Sequence, residues 1–331
     1  MEILPRFDVL RPASLAAAIE ARRRCAASRF IAGGTDLMVN LRHGLGAPET
    51  LIDLRHIAEL RLLSKENGGI TIGAAVTLAE LAANPAIGCD YPAIAAAARA
   101  VGAPAHREAA TLGGNLCLDT RCLFYNRSAW WREANGFCLK HQGETCHVAP
   151  TGKRCHAAYS GDLAPALLVY DATIEIAGRA GTRRIPLADL YAEDGAAHLR
   201  LAPDEVLVRI HLPAAPWPAA YAKARARGAI DFPQAGVAVA LRAEAGWITG
   251  LRVAFTGTNA RPFLLAGVAA LENTRIDAAW RDRLTKLVQK QVSPMRTTLL
   301  AAQYRRRVAS ALAQRLAAAL AGMGAENHGS V

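Results

Sequence analysis

Cysteine is the residue type whose distribution in this chain points most directly to chemistry. Five of the seven cysteines lie between residues 117 and 155 of the 331-residue sequence. The odd count, together with a start that lacks a basic-then-apolar signal sequence, argues against a disulfide framework and predicts a cytoplasmic protein. Thiols that cluster in a reducing compartment indicate metal binding or redox chemistry.

Four of the clustered cysteines are candidate metal ligands, namely Cys122, Cys138, Cys146 and Cys155. They are separated by 15, 7 and 8 residues, whereas a structural zinc site more typically shows tight C-x₂₋₄-C pairs. Four thiolates are the usual ligands of a [4Fe-4S] cluster, and wide spacings suit a loop that wraps around a bulky cubane. Four cysteines complete such a cluster, so Cys117 is spare and the histidines of the loop are expected not to be ligands.

Two diglycine segments could each bind an anion. The first consists of Ile31, Ala32, Gly33, Gly34, Thr35, Asp36 and Leu37, and the second contains Thr111, Gly113, Gly114 and Asn115. Paired glycines let the backbone approach a ligand without a Cβ in the way, and free N–H groups at a helix start attract negative charge. Each segment alone is also compatible with a plain tight turn. Together the two segments could bind one diphosphate. Neither has the G-x-G-x-x-G spacing of the Rossmann fingerprint, so a dinucleotide site built from them is expected to belong to a different fold.

The elements that must position these residues form a mixed α+β pattern. Over the first hundred residues, helices are predicted at 14–27, 77–83 and 90–101, and strands at 29–32, 50–54 and 69–73. Residues 104–161 show little periodicity in their hydrophobic residues. A long irregular segment inside a compact domain usually has a function, so a functional role is expected for this one. Strand-like segments resume with PALLVYDATIEIAG at 165–178, and the tail from about 277 is predicted to be helical. Three prolines between 213 and 218 predict a domain boundary there.

The order of the motifs resembles a known family. The pair AGGTDL and TLGGNL, about 80 residues apart, resembles the two diphosphate-binding motifs of the FAD subunits of the xanthine oxidase and carbon monoxide dehydrogenase family. A Gly-Asp before Pro-x-Leu follows in that family, and Asp162 matches it here. The family's K-x-x-x-R-x-x-x-D pattern matches Lys223, Arg227 and Asp231. The resemblance implies that Asp162 binds ribityl or ribose hydroxyls of FAD and that Lys223 lies near the flavin.

The resemblance also implies the fold. Residues 1–215 are expected to form an FAD-binding domain of the PCMH/vanillyl-alcohol-oxidase type with two α+β subdomains, in which residues 117–158 are an inserted cluster loop. Residues 216–325 are expected to form a small antiparallel sheet with helices, like the C-terminal domain of carbon monoxide dehydrogenase flavoproteins.

The cysteine segment narrows the resemblance to one branch of the family. It is about 40 residues longer than the loop of most relatives. Its motifs GGNLCLDTRC, FC-x-K and GETC are similar to those in the flavin subunits of 4-hydroxybenzoyl-CoA reductases, which add a [4Fe-4S] cluster at this place. This implies an electron-transfer subunit without catalytic residues of its own. It would work with a molybdopterin-containing large subunit and a [2Fe-2S] small subunit in a dimer of heterotrimers. Ferredoxin would supply the electrons, and 4-hydroxybenzoyl-CoA would be dehydroxylated reductively to benzoyl-CoA.

Two other interpretations of the sequence are open. The chain could be the FAD subunit of an ordinary molybdenum hydroxylase that oxidises an aldehyde, a purine or carbon monoxide, and the cysteine loop is the feature that argues against this. It could instead be a zinc-binding protein that uses its net charge of +11 for nucleic acid. The charges are scattered and no nucleic-acid motif accompanies them, so neither nucleic acid nor membrane is expected as a partner.

Overall fold

The first subdomain is a small parallel sheet flanked by helices. The computed structural model describes residues 4–66, 68–296 and 300–322. The first elements are β1 (Asp8–Leu10), α1 (Leu15–Arg24), β2 (Ser28–Ile31), α2 (Leu37–Arg42) and β3 (Thr50–Asp53), with strand order β1-β3-β2. Ser14 caps α1, because its side chain accepts the Ala17 N–H at 3.2 Å. The first diglycine segment leaves the sheet directly after β2.

The second subdomain is a five-stranded antiparallel sheet covered by helices. Its first elements are β4 (Leu63–Glu66), β5 (Gly69–Gly73), α3 (Leu78–Ala83), α4 (Pro85–Asp90), α5 (Pro92–Ala100), α6 (Pro104–Ala109) and α7 (Leu112–Leu116). They are followed by α8 (Ala129–Ala134), α9 (Leu163–Leu168), β6 (Thr173–Gly178), β7 (Gly181–Pro186) and β8 (Val206–Leu212). The strand order is β4-β5-β8-β6-β7. The second diglycine segment, the cysteine loop and Asp162 lie in the long connection between β5 and β6.

Two sequence-based assignments in this subdomain were wrong. The start of the PALLVYDATIEIAG segment belongs to helix α9 rather than to a strand, because all six of its residues are buried and a fully apolar run has no period that distinguishes helix from strand. Residues 104–116, which showed no periodicity, form the short helices α6 and α7. Proline at the first position favours the start of α6.

The C-terminal part is an antiparallel sheet backed by two helices. It consists of β9 (Ala219–Ala224), β10 (Ala235–Glu244), β11 (Trp247–Thr256), β12 (Phe263–Leu264), α10 (Ala278–Gln291) and α11 (Ala302–Leu320), with strand order β12-β11-β10-β9. The predicted helical tail agrees with α10 and α11. Residues 297–299 of that prediction, and residues 323–325 of the predicted C-terminal domain, lie outside the described residues.

Strand β10 joins the two hydrophobic cores. Its side chains point alternately to the two faces of the sheet, as the pleat of a strand requires. Ala238 and Ala240 pack into the core of the second subdomain. Val237, Val239 and Leu241 pack into the core that contains α10 and α11. The C-terminal sheet is therefore buried on both faces, and this α+β architecture is the class predicted from the sequence. Within the described residues, the longest helices carry too little apolar sequence to cross a bilayer.

Candidate functional site

A cavity of about 440 Å³ opens where the two diglycine segments meet. Its walls include most of the predicted site residues, namely Ile31, Ala32, Gly33, Gly34, Thr35, Asp36, Leu37, Thr111, Gly114, Asn115 and Asp162. Gly113 lines a second cavity of about 200 Å³. The two cavities share the residues at the diglycine segments, namely Phe30, Ile31, Ala32, Thr111, Gly114 and Cys117. The glycines therefore lie between two adjoining cavities.

Backbone packing explains why glycine is needed in the first segment. A Cβ on Gly33 would lie 1.9 Å from the carbonyl oxygen of Ala109, so the strand-to-helix turn touches the end of α6 through backbone atoms. Gly34 has φ +70°, a left-handed conformation that side chains rarely adopt. Sequence positions about 75 residues apart are thereby held in direct contact at the cavity wall.

The first segment presents unused hydrogen-bond donors. Within the part of the chain that the structure describes, the backbone N–H groups of Gly33, Gly34 and Thr35 have no protein acceptor. In the second segment, Thr111 caps α7 by accepting the Gly114 N–H at 3.1 Å. Free main-chain donors in a concave site bind an anion such as phosphate.

Acidic side chains in the wall of the larger cavity are all neutralised by bases. The pairs are Asp36–Arg121, Asp119–Lys140, Asp162–Lys223 and Asp231–Arg227. A carboxylate that is held by a cation repels an incoming anion far less than a free one does. The cavity can therefore accept a diphosphate even though four aspartates surround it.

Comparison with known protein families identifies the family of this chain. The sequence matches the family described as "FAD binding domain in molybdopterin dehydrogenase" over residues 5–215 and the "CO dehydrogenase flavoprotein C-terminal domain" over residues 219–320. This chain is an FAD-binding subunit of the molybdenum hydroxylase family. The family, the order of the two predicted domain types and FAD as the cofactor are thus confirmed, and the chain is a subunit of an oxidoreductase.

Several relatives show the extent of the similarity. The aldehyde oxidoreductase FAD-binding subunit PaoB of Escherichia coli (strain K12) is 30% identical over 261 residues, which cover 75% of this chain and 80% of that protein. The carbon monoxide dehydrogenase medium chain of Afipia carboxidovorans is 25% identical over 313 residues, covering 93% and 94%. Quinoline 2-oxidoreductase from Pseudomonas putida 86 has the same fold, with a TM-score of 0.78 at 23% identity over 97% of this chain and 99% of that one.

Asp162 and Lys223 of this FAD subunit form one buried ion pair. Lys223 Nζ lies 3.0 Å from Asp162 Oδ1, and each side chain is only 4% exposed. The Tyr221 hydroxyl donates to the same oxygen at 2.6 Å. Burial raises the pKa of Asp162, while Lys223 opposes the rise. Asp162 faces the larger cavity, whereas Lys223 lines neither described cavity and contacts the site through Asp162.

Arg121 is a site residue that the sequence did not reveal. Its guanidinium group forms an ion pair with Asp36 in the first diglycine segment and lies 4.7 Å from the ring centre of Phe232. Burial lowers its pKa to about 10. No pattern in the sequence relates Arg121 to Asp36, because the two residues are 85 positions apart. Its position beside Cys122 was the one hint of a role in the site. Arg121 therefore connects the larger cavity to the cysteine loop.

The cysteine loop is closed at its base and anchored to the subunit. Arg121 and Ala158 exchange two backbone hydrogen bonds of 2.7 and 2.8 Å where the loop begins and ends. The buried Arg132, at the centre of the loop, donates to the carbonyl oxygens of His43 at 2.8 Å and Gly44 at 3.2 Å. The Cys155 N–H donates to Asp194 at 3.1 Å. The loop is thus a packed part of the fold, although most of it is irregular.

The four candidate ligands of the loop are free thiols that influence one another. Burial raises the pKa of Cys122, and the charges of Cys138 and Cys146 add to this rise. Burial likewise raises the pKa of Cys155 to about 11, and Cys146 and Cys122 contribute. The four thiols therefore lie within electrostatic reach of each other. However, among the described residues no group of three or more His, Cys, Asp or Glu side chains is arranged to hold a metal ion.

Proposed function

We propose that this chain carries a [4Fe-4S] cluster beside its FAD and passes electrons between them, as the flavin subunit of an enzyme of the 4-hydroxybenzoyl-CoA reductase type. The observation that carries this proposal is the cysteine loop, which leaves the flavin cavity at Arg121 and returns to it just before Asp162. The complete enzyme would remove the phenolic hydroxyl of 4-hydroxybenzoyl-CoA as water, at a molybdenum centre in another subunit.

The two adjoining cavities support FAD as the ligand of the diglycine segments. A dinucleotide has a ring system on each side of a central diphosphate. Here the free N–H donors line the larger cavity, which adjoins the smaller one at the diglycine segments. The N–H groups of Gly33, Gly34 and Thr35 would bind the diphosphate. Asp162 would accept hydrogen bonds from ribityl or ribose hydroxyls, and Lys223 would hold its carboxylate in place.

The chemistry of the cysteine loop fits a cluster better than a single ion. In a cubane each thiolate binds a different iron, so the four sulfurs surround a volume and do not converge on one point. Cys122, Cys138, Cys146 and Cys155 are free and partly or fully buried. The Cys155 sulfur accepts the Ala157 N–H at 3.4 Å, a type of hydrogen bond that tunes the reduction potential of a cluster.

The protein would position and shield these groups. When bound, FAD exchanges one or two electrons and the cluster exchanges one, which lets them link carriers of either kind. The ring of Phe124 lies 6.0 Å from Trp131 and 5.1 Å from His147, so aromatic side chains surround the segment that holds Cys122. Arg121 would fix the distance between the sites, since it binds Asp36 while its backbone leads into Cys122.

The relatives support the proposed partners. Their names describe FAD-binding subunits and medium chains, which are parts of larger assemblies. This chain would accordingly bind a molybdopterin-containing large subunit and a [2Fe-2S] small subunit, in a dimer of heterotrimers. Ferredoxin would donate electrons to the [4Fe-4S] cluster, and FAD would pass them to the small subunit.

A second candidate function is the FAD subunit of a hydroxylase that oxidises an aldehyde, a purine or carbon monoxide. Two relatives at 30% identity favour it, because they are named as subunits of xanthine dehydrogenase and of an aldehyde oxidoreductase. In such an enzyme electrons would leave through the flavin. The two functions differ in the direction of electron flow and in the substrate of the large subunit.

Metal analysis and turnover of the anaerobically purified complex separate these functions. We expect the cysteine loop to add about four irons per flavin, and 4-hydroxybenzoyl-CoA with a low-potential reductant to yield benzoyl-CoA. Cys146→Ser should lose this iron and keep the flavin, whereas Cys89→Ser, at an exposed cysteine outside the loop, should keep both. Oxidation of aldehyde or purine without formation of benzoyl-CoA would favour the second function. Zinc in place of iron would overturn the cluster.

A further inference from the structure

We propose that Arg121 is an additional FAD-binding residue, whose guanidinium group binds the diphosphate beside the free main-chain donors of the first diglycine segment. The inference rests on the proposed place of the diphosphate and is independent of any metal in the cysteine loop. Because Arg121 lies where that loop begins, the loop itself would contribute a cation to the flavin site.

The side chain of Arg121 lies in the wall of the larger cavity, at the segment that carries the free donors. Its Nη2 contacts the carboxylate of Asp36. Asp36 directly follows Thr35, the last of the three residues whose N–H groups have no acceptor among the described residues. An anion that accepts from these N–H groups would therefore lie close to the cation.

The protein holds this guanidinium group in one place. Arg121 exchanges two backbone hydrogen bonds with Ala158, and its Nη1 donates to Asn40 Oδ1 at 3.2 Å. Its Cζ lies 4.7 Å from the ring centre of Phe232, and the side chain is only 18% exposed. A side chain that is already ordered loses little further entropy when a ligand binds to it.

Arg121 also has hydrogen-bond donors that the protein does not use. A guanidinium group has five N–H bonds. Among the described residues, Asn40 accepts from Nη1, Asp36 contacts Nη2, and the buried Nε has no acceptor. Contact with Phe232 occupies a face of the group and leaves the N–H bonds at its edge, where phosphate oxygens fit. Because buried donors rarely lack a partner, the unused ones indicate that a ligand oxygen completes the contacts of Arg121.

The carboxylate of Asp36 gives Arg121 two separable effects on a diphosphate. Its side chain is 21% exposed, and without its arginine its charge would repel the phosphates. Arg121 could therefore favour binding by direct contact with the phosphates, or only by neutralising Asp36. Variants that lack the carboxylate distinguish these two effects.

Calorimetric titration of the flavin-free whole complex with FAD and with ADP makes this comparison. Asp36→Asn and the double variant Asp36→Asn/Arg121→Met both lack the carboxylate, so the difference between them measures the contact with Arg121 alone. We expect the double variant to bind FAD and ADP about 10- to 100-fold more weakly than Asp36→Asn, as for the loss of a hydrogen bond to a charged group. Equal affinities would overturn the inference, because Arg121 would then act only by neutralising Asp36.

A second double variant keeps the test decisive if the first does not assemble. Asp36→Asn/Arg121→Lys retains a cation but loses the planar set of donors. We expect it to bind ADP about three- to tenfold more weakly than Asp36→Asn, the usual effect of one lost hydrogen bond. Equal affinity for ADP would again overturn the inference.

Riboflavin and a second arginine provide the controls. Riboflavin has no phosphate, so its affinity, followed by fluorescence quenching, should be the same in Asp36→Asn and in both double variants. An equal loss for riboflavin would indicate a collapsed site and overturn the direct contact. Arg127→Met should bind all three ligands as the wild type does, because Arg127 is an exposed residue of the same loop and lines neither described cavity. Absence of ADP binding to a wild-type complex that binds FAD would instead refute the proposed position of the diphosphate.

Discussion

Substitution of Gly33 by alanine tests how the flavin site is built. The new methyl group would lie 1.9 Å from the Ala109 carbonyl oxygen, whereas ordinary contact begins near 3.4 Å. One of the two backbone segments must therefore retreat by about 1.5 Å. Overpacking of this kind costs about 1–3 kcal/mol. Because the displaced segment carries the free N–H donors, we expect most of this cost to appear as weaker FAD binding, about 10- to 100-fold.

Flavin content after gel filtration, and a titration of the apoprotein with FAD followed by flavin fluorescence, measure this effect. Gly88→Ala is the matched control, because its new methyl group meets no atom within 4 Å and the position lies in helix α4. We expect it to bind FAD normally and to unfold at the same or a slightly higher temperature. Wild-type affinity and stability in Gly33→Ala would refute the close approach of the two segments.

Two further substitutions test how the C-terminal part supports the site. Lys223→Met leaves the Asp162 carboxylate buried without its cation, so we expect about 3–5 kcal/mol lower stability in urea unfolding, and Lys223→Arg should recover part of it. An unchanged midpoint in Lys223→Met would contradict the buried pair. Arg305 is 3% exposed and donates to the carbonyl oxygens of Gln234, Met295 and Gly257. Arg305→Met should lower the free energy of unfolding by about 3 kcal/mol or more, because the buried carbonyl acceptors lose their donor. A thermal unfolding temperature equal to that of the wild type would contradict a stabilising role of these hydrogen bonds.

The geometry of the candidate site was predictable from the sequence only where backbone conformation dictates residue type. Gly33 and Gly34 stood out as positions where the backbone approaches another group closely, and in the structure Gly33 contacts the Ala109 backbone. The capping of α7 by Thr111 was not predicted, because residues 104–116 showed no periodicity. The ion pairs were not predictable. Arg121 and Asp36 are 85 residues apart, and no local pattern relates them. Helix α9 was misread for a similar reason, because burial on all sides removes the periodicity that identifies a helix.

For the cysteine loop, too, the sequence predicted the residue types but not the tertiary contacts. Their number and spacing identified a candidate cluster loop, since thiols concentrated in one segment of a chain in a reducing compartment commonly bind metal or carry out redox chemistry. The sequence did not show how that segment is held. Arg132 anchors it through the carbonyl oxygens of His43 and Gly44, and such contacts depend on tertiary structure alone.

The two backbone hydrogen bonds between Arg121 and Ala158 have a consequence for the history of this subunit. Because the segment leaves and re-enters the scaffold at neighbouring points, its gain or loss requires no rearrangement of the strands and helices on either side. A single insertion event would thus add the cysteine loop to an ancestral flavoprotein and leave its sheets and helices unaltered.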